Sequence, residues 1–219
     1  ITAEGMLSIH VGPPTICDTL PSAIEGSDII LVVTTAGAHG EVARQCARTL
    51  GPGQKIVLSP GGTGGVLEFA AALSRYGLDL GLGGVAVCEA EALVYACNSP
   101  SPGRVRILGK KQDVGVASMP TCAAIDLVEV LNDAVGHCFR AVDSVLETGL
   151  SNVNYIFHVP GMMLNAGWVE AGRFHFYSQG ISASVARAIE ALDAERLAVA
   201  EAYGVKTVGL ADWLRVTYG

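Results

Sequence analysis

The chain has no uninterrupted run of about 20 apolar residues, so a membrane-spanning helix is not expected. Basic residues are scarce: 14 Lys and Arg stand against 21 Asp and Glu, for a formal net charge of −7. A general nucleic-acid binder needs a basic surface to neutralise phosphates, so nucleic acid is not an expected partner. The sequence has no Cys-x-x-Cys pair, and none of its 6 cysteines stands beside a histidine at metal-ligand spacing. No metal site is therefore expected. The start, Ile1-Thr2-Ala3-Glu4-Gly5, has neither an initiator Met nor a positive n-region. It is not read as a signal peptide; it reads as a chain cut in mid-sequence.

What the chain does have is apolar mass. Half of its 219 residues are hydrophobic and 16% are charged, which fits a globular protein with a buried core and excludes a disordered one. The length allows one large domain or two small ones. A chain of this size needs no disulfide staples, so the thiols are expected to be reduced and mostly buried, in a cytoplasmic protein. The 27 glycines imply many tight turns.

The first half alternates strand and helix signals. Asp28 to Thr35 is a short apolar run rich in β-branched residues, as a strand buried on both faces of a parallel sheet requires. A turn at Gly37-Ala38-His39-Gly40 leads into a helix over 41–50, with Val42, Cys46 and Leu50 on one face. Lys55 to Ser59 is a second buried strand, followed by Pro60-Gly61-Gly62-Thr63-Gly64-Gly65 and a helix over 66–76 with Leu67, Ala70 and Leu73 inward. This β-α-β-α order predicts a doubly wound sheet, in which ligands sit at the carboxyl ends of the strands. The loops at 34–40 and 59–65 are the expected cofactor contacts. Beyond them, Val85 to Cys88 is an expected strand. Arg104 to Leu108 and Val114 to Ser118 are expected to pair around the turn at 109–113. After Pro120 the pattern becomes helical, over 121–133, 142–149, 152–170, 182–203 and 210–217. In the longest of these, Val185, Ile189, Leu192, Val199 and Tyr203 trace an inward face, and Glu190, Asp193, Glu195 and Arg196 an outward one.

Four segments carry possible chemistry. Gly81-Leu82-Gly83-Gly84-Val85-Ala86 matches the dinucleotide fingerprint literally. The fingerprint needs a full strand before it and a helix opening within it, and only Leu78-Asp79-Leu80 precedes, which favours a glycine-rich turn. Thr34-Thr35-Ala36-Gly37-Ala38-His39 either offers amides and hydroxyls to a nucleotide or is an ordinary strand-to-helix turn. Glu89 and Glu91 lie in an apolar stretch, where desolvation penalises a carboxylate without a partner or a wet cleft; a solvated acidic helix face is the simpler reading. His158 sits in one of the most apolar stretches, with Asn154 on the same helical face and Asn165 farther on. An imidazole there is suited to give and take protons near neutral pH, although spacing alone favours a satisfied structural histidine.

Taken together, in this order and at this spacing, several segments resemble the octopine/nopaline (opine) dehydrogenases. They are the strand-turn at 28–39, Ser59-Pro60-Gly61 with its helix, Glu91 through Cys97, and Asn154-x-x-x-His158-x-Pro160 with Leu164-Asn165-Ala166-Gly167. Phe176-Tyr177-Ser178-Gln179-Gly180-Ile181 leading to Asp193-Ala194-Glu195-Arg196 completes the set. The resemblance covers nearly the whole chain. It implies a fold of class α/β plus all-α: a partial Rossmann-type doubly wound sheet over 1–119, binding NAD or NADP, and a truncated helical substrate domain over 120–219. It implies reductive condensation of an amino acid with a 2-oxo acid, with His158 as acid/base. Asn154, Glu91 and Cys97 would bind substrate, and Thr34, Thr35, Ala36, Pro60 and Gly61 the cofactor. The expected partners are these small molecules, with no nucleic acid and no membrane.

The family's phosphate-binding turn precedes the segment matched here, and its histidine pairs with an aspartate in a later helix that has no match. The sequence is therefore expected to be a fragment with weak or no cofactor binding by itself. Asn98 stands where some members carry Arg. A ketopantoate reductase or glycerol-3-phosphate dehydrogenase is an alternative of related build, but those enzymes use a lysine. Lys55, Lys110, Lys111 and Lys206 are the only lysines, and none lies in the His158 helix. A small-molecule binding domain without turnover is a further alternative.

Overall fold

The computed structural model describes residues 2–5, 9–78, 80–81 and 84–218. It divides into two compact units, Ile1–Gly149 and Leu150–Gly219.

The first unit opens with β1 (Thr2–Gly5), β2 (Ile9–His10) and α1 (Leu20–Ile24). A β-α-β-α-β series follows: β3 (Ile29–Val32), α2 (His39–Cys46), β4 (Lys55–Leu58), α3 (Gly65–Ser74) and β5 (Ala86–Ala90). Then come β6 (Tyr95–Ser101), β7 (Arg104–Lys110), β8 (Val114–Met119), α4 (Ala123–Val135), β9 (Phe139–Ala141) and α5 (Val145–Ser151), which runs on into the second unit.

The main sheet has the order β3-β4-β5-β8-β9. Strands β3, β4 and β5 are parallel, with Val32 opposite Leu58 and Leu58 opposite Glu89; β8 runs antiparallel to β5. In β4, Ile56 and Leu58 join one core with Val66, Phe69 and Leu73 of α3. Val57 faces the other way, toward a core with Leu127 and Leu131 of α4. That strand is buried on both faces, as its continuous apolar run requires. Edge strand β3 differs from expectation. Ile30 and Val32 are buried, but Leu31 and Val33 are 57% and 62% exposed, so only one face of β3 is covered.

Three sequence-based expectations for this unit need correction. The segments 104–108 and 114–118 do not pair with each other. β7 instead forms an antiparallel hairpin with β6 and lies parallel to β1 in a second sheet, β2-β1-β7-β6, whereas β8 joins the main sheet. On α3, Leu67 is exposed while Val66, Phe69 and Leu73 are buried, because the helix starts at Gly65 and turns that face to the sheet. The sheet unit also continues past Pro120 to Gly149. β9 completes the main sheet, and Asn132 of α4 fastens it there: its carbonyl oxygen accepts from the amides of Cys138 and Phe139 at 3.0 and 2.8 Å, and its amide donates to the Phe139 carbonyl at 2.9 Å.

The second unit is helical: α6 (Asn154–Met163), α7 (Ala166–Glu170), α8 (Phe176–Gln179), α9 (Ala183–Ala202) and α10 (Leu210–Tyr218). Ser182 caps α9, its hydroxyl accepting from the Val185 amide at 3.4 Å. The core joins Val153, Ile156, Val185, Ile189 and Leu210. The inward face of α9 is the expected one at Val185 and Ile189 and then departs from it. Leu192, Val199 and Tyr203 are exposed, and Asp193 and Arg196 are buried. They are buried as a pair: Arg196 Nη2 lies 2.7 Å from Asp193 Oδ1. The guanidinium also donates to the carbonyls of Leu150 and Val208 and to Thr207 Oγ1, and Asp193 Oδ2 accepts from the Leu210 amide at 2.7 Å. Every charge-bearing atom has a partner, which is the condition for burying such a pair.

Among the described residues, no helix is long and apolar enough to cross a membrane. Cys46, Cys88 and Cys138 are buried and Cys17, Cys97 and Cys122 exposed, so burial takes half of the free thiols rather than most of them. Burial pushes the Cys46 thiol up to about 11 and the Cys88 thiol up to about 12.

Candidate functional site

The parallel strands β3, β4 and β5 end together, which brings the loops after Val32, Leu58 and Ala90 to one rim of the sheet. Thr34, Thr35 and Ala36 stand on this rim, exposed. Pro60 is half-buried beside them, after a cis Ser59–Pro60 bond. The two loops pack against each other: a Cβ on Gly62 would lie 3.4 Å from the Ala36 side chain, and Gly62 has φ +70°. Gly61 is different. It is buried, its amide donates to the Ala90 carbonyl at 3.0 Å, and a Cβ there would lie 2.4 Å from Glu89 Oε2. Its amide is thus committed to the sheet, while the hydroxyls of Thr34 and Thr35 are free of that role. Exposed hydroxyls and a proline at the carboxyl ends of parallel strands fit one wall of a dinucleotide site.

The literal fingerprint at 81–86 does not form a phosphate loop. Ala86 opens strand β5 where the motif needs a helix, so its amides enter the sheet ladder. Leu82 and Gly83 lie outside the described residues.

Glu89 and Glu91 are not on a solvated helix face. Glu89 ends strand β5 with no exposed surface, and Glu91 follows in a bend, 8% exposed. Burial raises the Glu91 carboxyl above its usual range, against the Gly115 amide and the Arg140 guanidinium, which lower it. Arg140 itself holds Asp113 at 2.9 Å and Glu147 at 3.3 Å. Cys97, exposed on β6, instead lines an apolar cavity of about 310 Å³ with Leu31, Val33, Ser59, Val94 and Tyr95. Glu91 is not part of that lining, so these two expected substrate residues occupy different places in the unit.

Glu89 and His39 lie in segments that the sequence singles out, but their complete burial and the part played by Thr148 are not apparent there. Glu89 Oε2 accepts from the Val66 amide at 2.9 Å, and its Oε1 bonds to the Thr148 hydroxyl. His39 is fully buried, and neither ring nitrogen has a hydrogen-bond partner among the described residues. Burial lowers its pKa, with Glu68 opposing. The signal available for Glu89 was its place at the end of the run Val85-Ala86-Val87-Cys88, where a strand interior forces its side chain into the core.

In the helical unit, Asn154 and His158 lie one turn apart on α6 as their spacing predicts, with Asn154 exposed and His158 half-buried. The His158 ring sits 5.0 Å from that of Phe176, 5.3 Å from Phe157 and 6.2 Å from Tyr177, centroid to centroid. Burial lowers its pKa and no charged group opposes that. The imidazole is thereby held toward its neutral form, able to accept a proton. Gly161, on the next turn, admits the Phe176 ring: a Cβ there would lie 2.6 Å from it. Asn165 is a structural tie, its amide donating to the carbonyls of Gly161 at 2.7 Å and Gly180 at 2.9 Å.

Residues 141–219 match the family model for the alpha-helical domain of NAD/NADP octopine/nopaline dehydrogenase. The chain is 33% identical over 221 residues to an opine dehydrogenase from Arthrobacter sp. (strain 1C), an alignment that takes in 100% of this chain and 60% of that protein. Among solved structures, octopine dehydrogenase with NADH and L-arginine superposes with a TM-score of 0.70 at 20% identity, over 92% of this chain and 51% of that one. A PanE/ApbA family ketopantoate reductase from Ralstonia eutropha JMP134 superposes with a TM-score of 0.63 at 20% identity, over 95% and 62%. The chain therefore spans about three-fifths of its curated relative, and its fold is the Rossmann-like sheet and helical domain these structures share. Along its whole length the chain is similar to the Arthrobacter opine dehydrogenase, and residues 141–219 match the helical-domain model of the octopine/nopaline dehydrogenases.

Proposed function

We propose that this chain belongs to an NAD(P)-dependent opine dehydrogenase, which joins the amine of an amino acid to a 2-oxo acid and reduces the product. The observation that carries the reading is the placement of Asn154 and a half-buried, neutral-leaning His158 on one face of α6, inside the segment that matches the family's helical domain. Relatives solved with NADH and L-arginine or with NADH and pyruvate supply the substrate classes. Thr34, Thr35, Ala36 and Pro60 line the cofactor, with Gly61 shaping their loop.

The amine and the oxo carbon combine with loss of water to an imine, and a hydride with a proton then gives the secondary amine. The dinucleotide, when bound, supplies the hydride. Held neutral by burial, His158 takes a proton from the incoming ammonium group and then gives it to the departing hydroxyl, which leaves as water. Asn154, on the same face, orients the oxo acid or the imidazole. Glu91 and Cys97 serve the amino acid, the buried Glu91 offering a carboxyl to an amine. We place the protein in the cytoplasm, with three thiols exposed and unpaired.

The test uses the gene product at its full natural length, following NAD(P)H oxidation with panels of amino acids and 2-oxo acids. The expected result is turnover with at least one pair, and a fall of about 10²–10⁴-fold in His158→Ala, typical of a lost acid/base group. In the wild type, the acid limb of kcat/KM is expected below the ordinary imidazole value of about 6.5. Oxidation of no cofactor with any pair, or full rate in the variant, rejects the reading.

A further inference from the structure

We propose that Glu89 is a positioning residue for the cofactor loop, its buried side chain locking the Ser59–Gly65 turn and the start of α3 onto α5. The proposal rests on the functional reading above only in naming what the loop contacts. Four observations converge on it. Glu89 is 0% exposed, at the carboxyl end of a central strand. One of its oxygens takes the Val66 amide at 2.9 Å, at the first turn of α3. The other meets the Thr148 hydroxyl on α5. The loop itself passes directly over the carboxyl, so closely that residue 61 has no room for a Cβ. A second tie runs alongside: Thr63 Oγ1 donates to the Gly149 carbonyl at 3.1 Å. Gly62 of this loop lies beside Ala36, where an added Cβ would meet the Ala36 side chain at 3.4 Å.

Hydrogen counting gives the state of the carboxyl. Thr148 has one hydroxyl hydrogen, and the Val145 carbonyl lies 3.0 Å away, the usual acceptor for a helical threonine. If that hydrogen goes to Val145, the hydrogen in the Glu89–Thr148 bond comes from Glu89. Glu89 is then a carboxylic acid whose O–H donates to Thr148 Oγ1 and whose carbonyl oxygen accepts from Val66. Every group is satisfied and no net charge is buried. Burial raises this carboxyl by more than the hydrogen bonds with Thr148 and Val66 lower it, and no charged side chain takes part.

This arrangement makes glutamine a faithful substitute, since its amide donates to Thr148 and its oxygen accepts from Val66. The test compares Glu89→Gln, Glu89→Ala, Thr148→Val and Thr148→Ser in the full-length protein. Two readouts are independent of turnover: hydrogen exchange of the amides at 61–66, and infrared absorption of wild type in the protonated-carboxyl region, absent in Glu89→Gln. Glu89→Gln and Thr148→Ser are expected to keep wild-type amide protection. Thr148→Val is expected to lose roughly tenfold protection there, and to raise the cofactor KM by a similar factor with little change in kcat, the scale of one buried hydrogen bond. Glu89→Ala is expected to lose more, and Thr148→Val stands in for it should it fail to fold. Unchanged protection in Thr148→Val overturns the positioning role. Loss in Glu89→Gln equal to that in Thr148→Val, or no protonated-carboxyl band, overturns the neutral acid. A protein that oxidises no cofactor while its exchange behaves as expected rejects the functional reading and leaves the lock standing.

Discussion

The two units bury acidic side chains in opposite ways. In the α/β unit, Glu89 enters the core with an amide and a hydroxyl and no charged partner, Glu91 has the Arg140 guanidinium and the Lys111 ammonium only at a distance, and burial pushes both toward the neutral acid. In the helical unit, Asp193 enters with a full counter-charge, Arg196, whose guanidinium is spread over a carboxylate, two carbonyls and a hydroxyl. The difference follows from what each element can deliver. A strand end beside a helix start presents backbone N–H groups, which stabilise an oxygen without adding a charge. A long helix brings side chains three residues apart onto the same face, and there a carboxylate and a guanidinium meet. The first arrangement is cheap to neutralise; the second fails if either member is removed.

The largest effect expected from breaking this contrast is in the helical unit. Arg196→Ala strands Asp193 in the core and is expected to cost about 3–5 kcal/mol in denaturant unfolding. The double variant Asp193→Leu with Arg196→Met should recover most of that loss, since apolar replacement of a whole buried pair is often neutral. A double variant as unstable as the single one would show that the carbonyl contacts of Arg196 matter more than its charge partner. In the α/β unit, Thr148→Val is expected to cost about 1–3 kcal/mol, the range for one unsatisfied buried polar group.

The smallest effect is in pH dependence. His39 and His158 have lowered pKa values in the fold. The unfolded chain then binds more protons than the folded one just below the ordinary imidazole value, so stability falls as pH drops below about 6.5. One such histidine contributes a slope of at most about 1.4 kcal/mol per pH unit. Unfolding midpoints across an acidic pH series should show this decline, and His39→Leu should flatten it. Glu89 has the opposite sign. Its raised pKa means that stability is lost as pH rises above the unfolded value of about 4.3, and Glu89→Gln should remove that loss.

The parts of the fold readable in advance were those set by continuous apolar runs. Strands β3 and β4, helices α2, α3, α4 and α9, and the rim at 34–38 and 59–65 all lie where β-branched runs and glycine breaks place them. What stayed hidden has a common physical origin in pairing at a distance. β6 is polar and mostly exposed, so Tyr95–Ser101 carries no alternation, and only its hairpin with β7 makes it a strand. Asp193 and Arg196 read as solvent-facing until they are seen to neutralise each other. The aspect of α9 was misjudged for the same reason: its helical wheel is decided by that pair and not by Leu192 or Val199. At the candidate site, the helical placement of Asn154 and His158 followed from spacing alone. The burial of Glu89 against the loop did not, because the partners that make it tolerable, Val66 and Thr148, are 23 and 59 residues away.

The reversal of β8 and β9 relative to β3, β4 and β5 has its own consequence. The connection at 111–113 emerges on the same rim as the loops after β3 and β4, and Gln112 and Asp113 at its tip are exposed. Chain length at such a tip is nearly free, since doubling a flexible loop costs only about 0.6 kcal/mol. Insertion after Gln112 is thus a route by which selection, or a protein engineer, can grow a new lip over the rim and retune what enters without disturbing the sheet beneath.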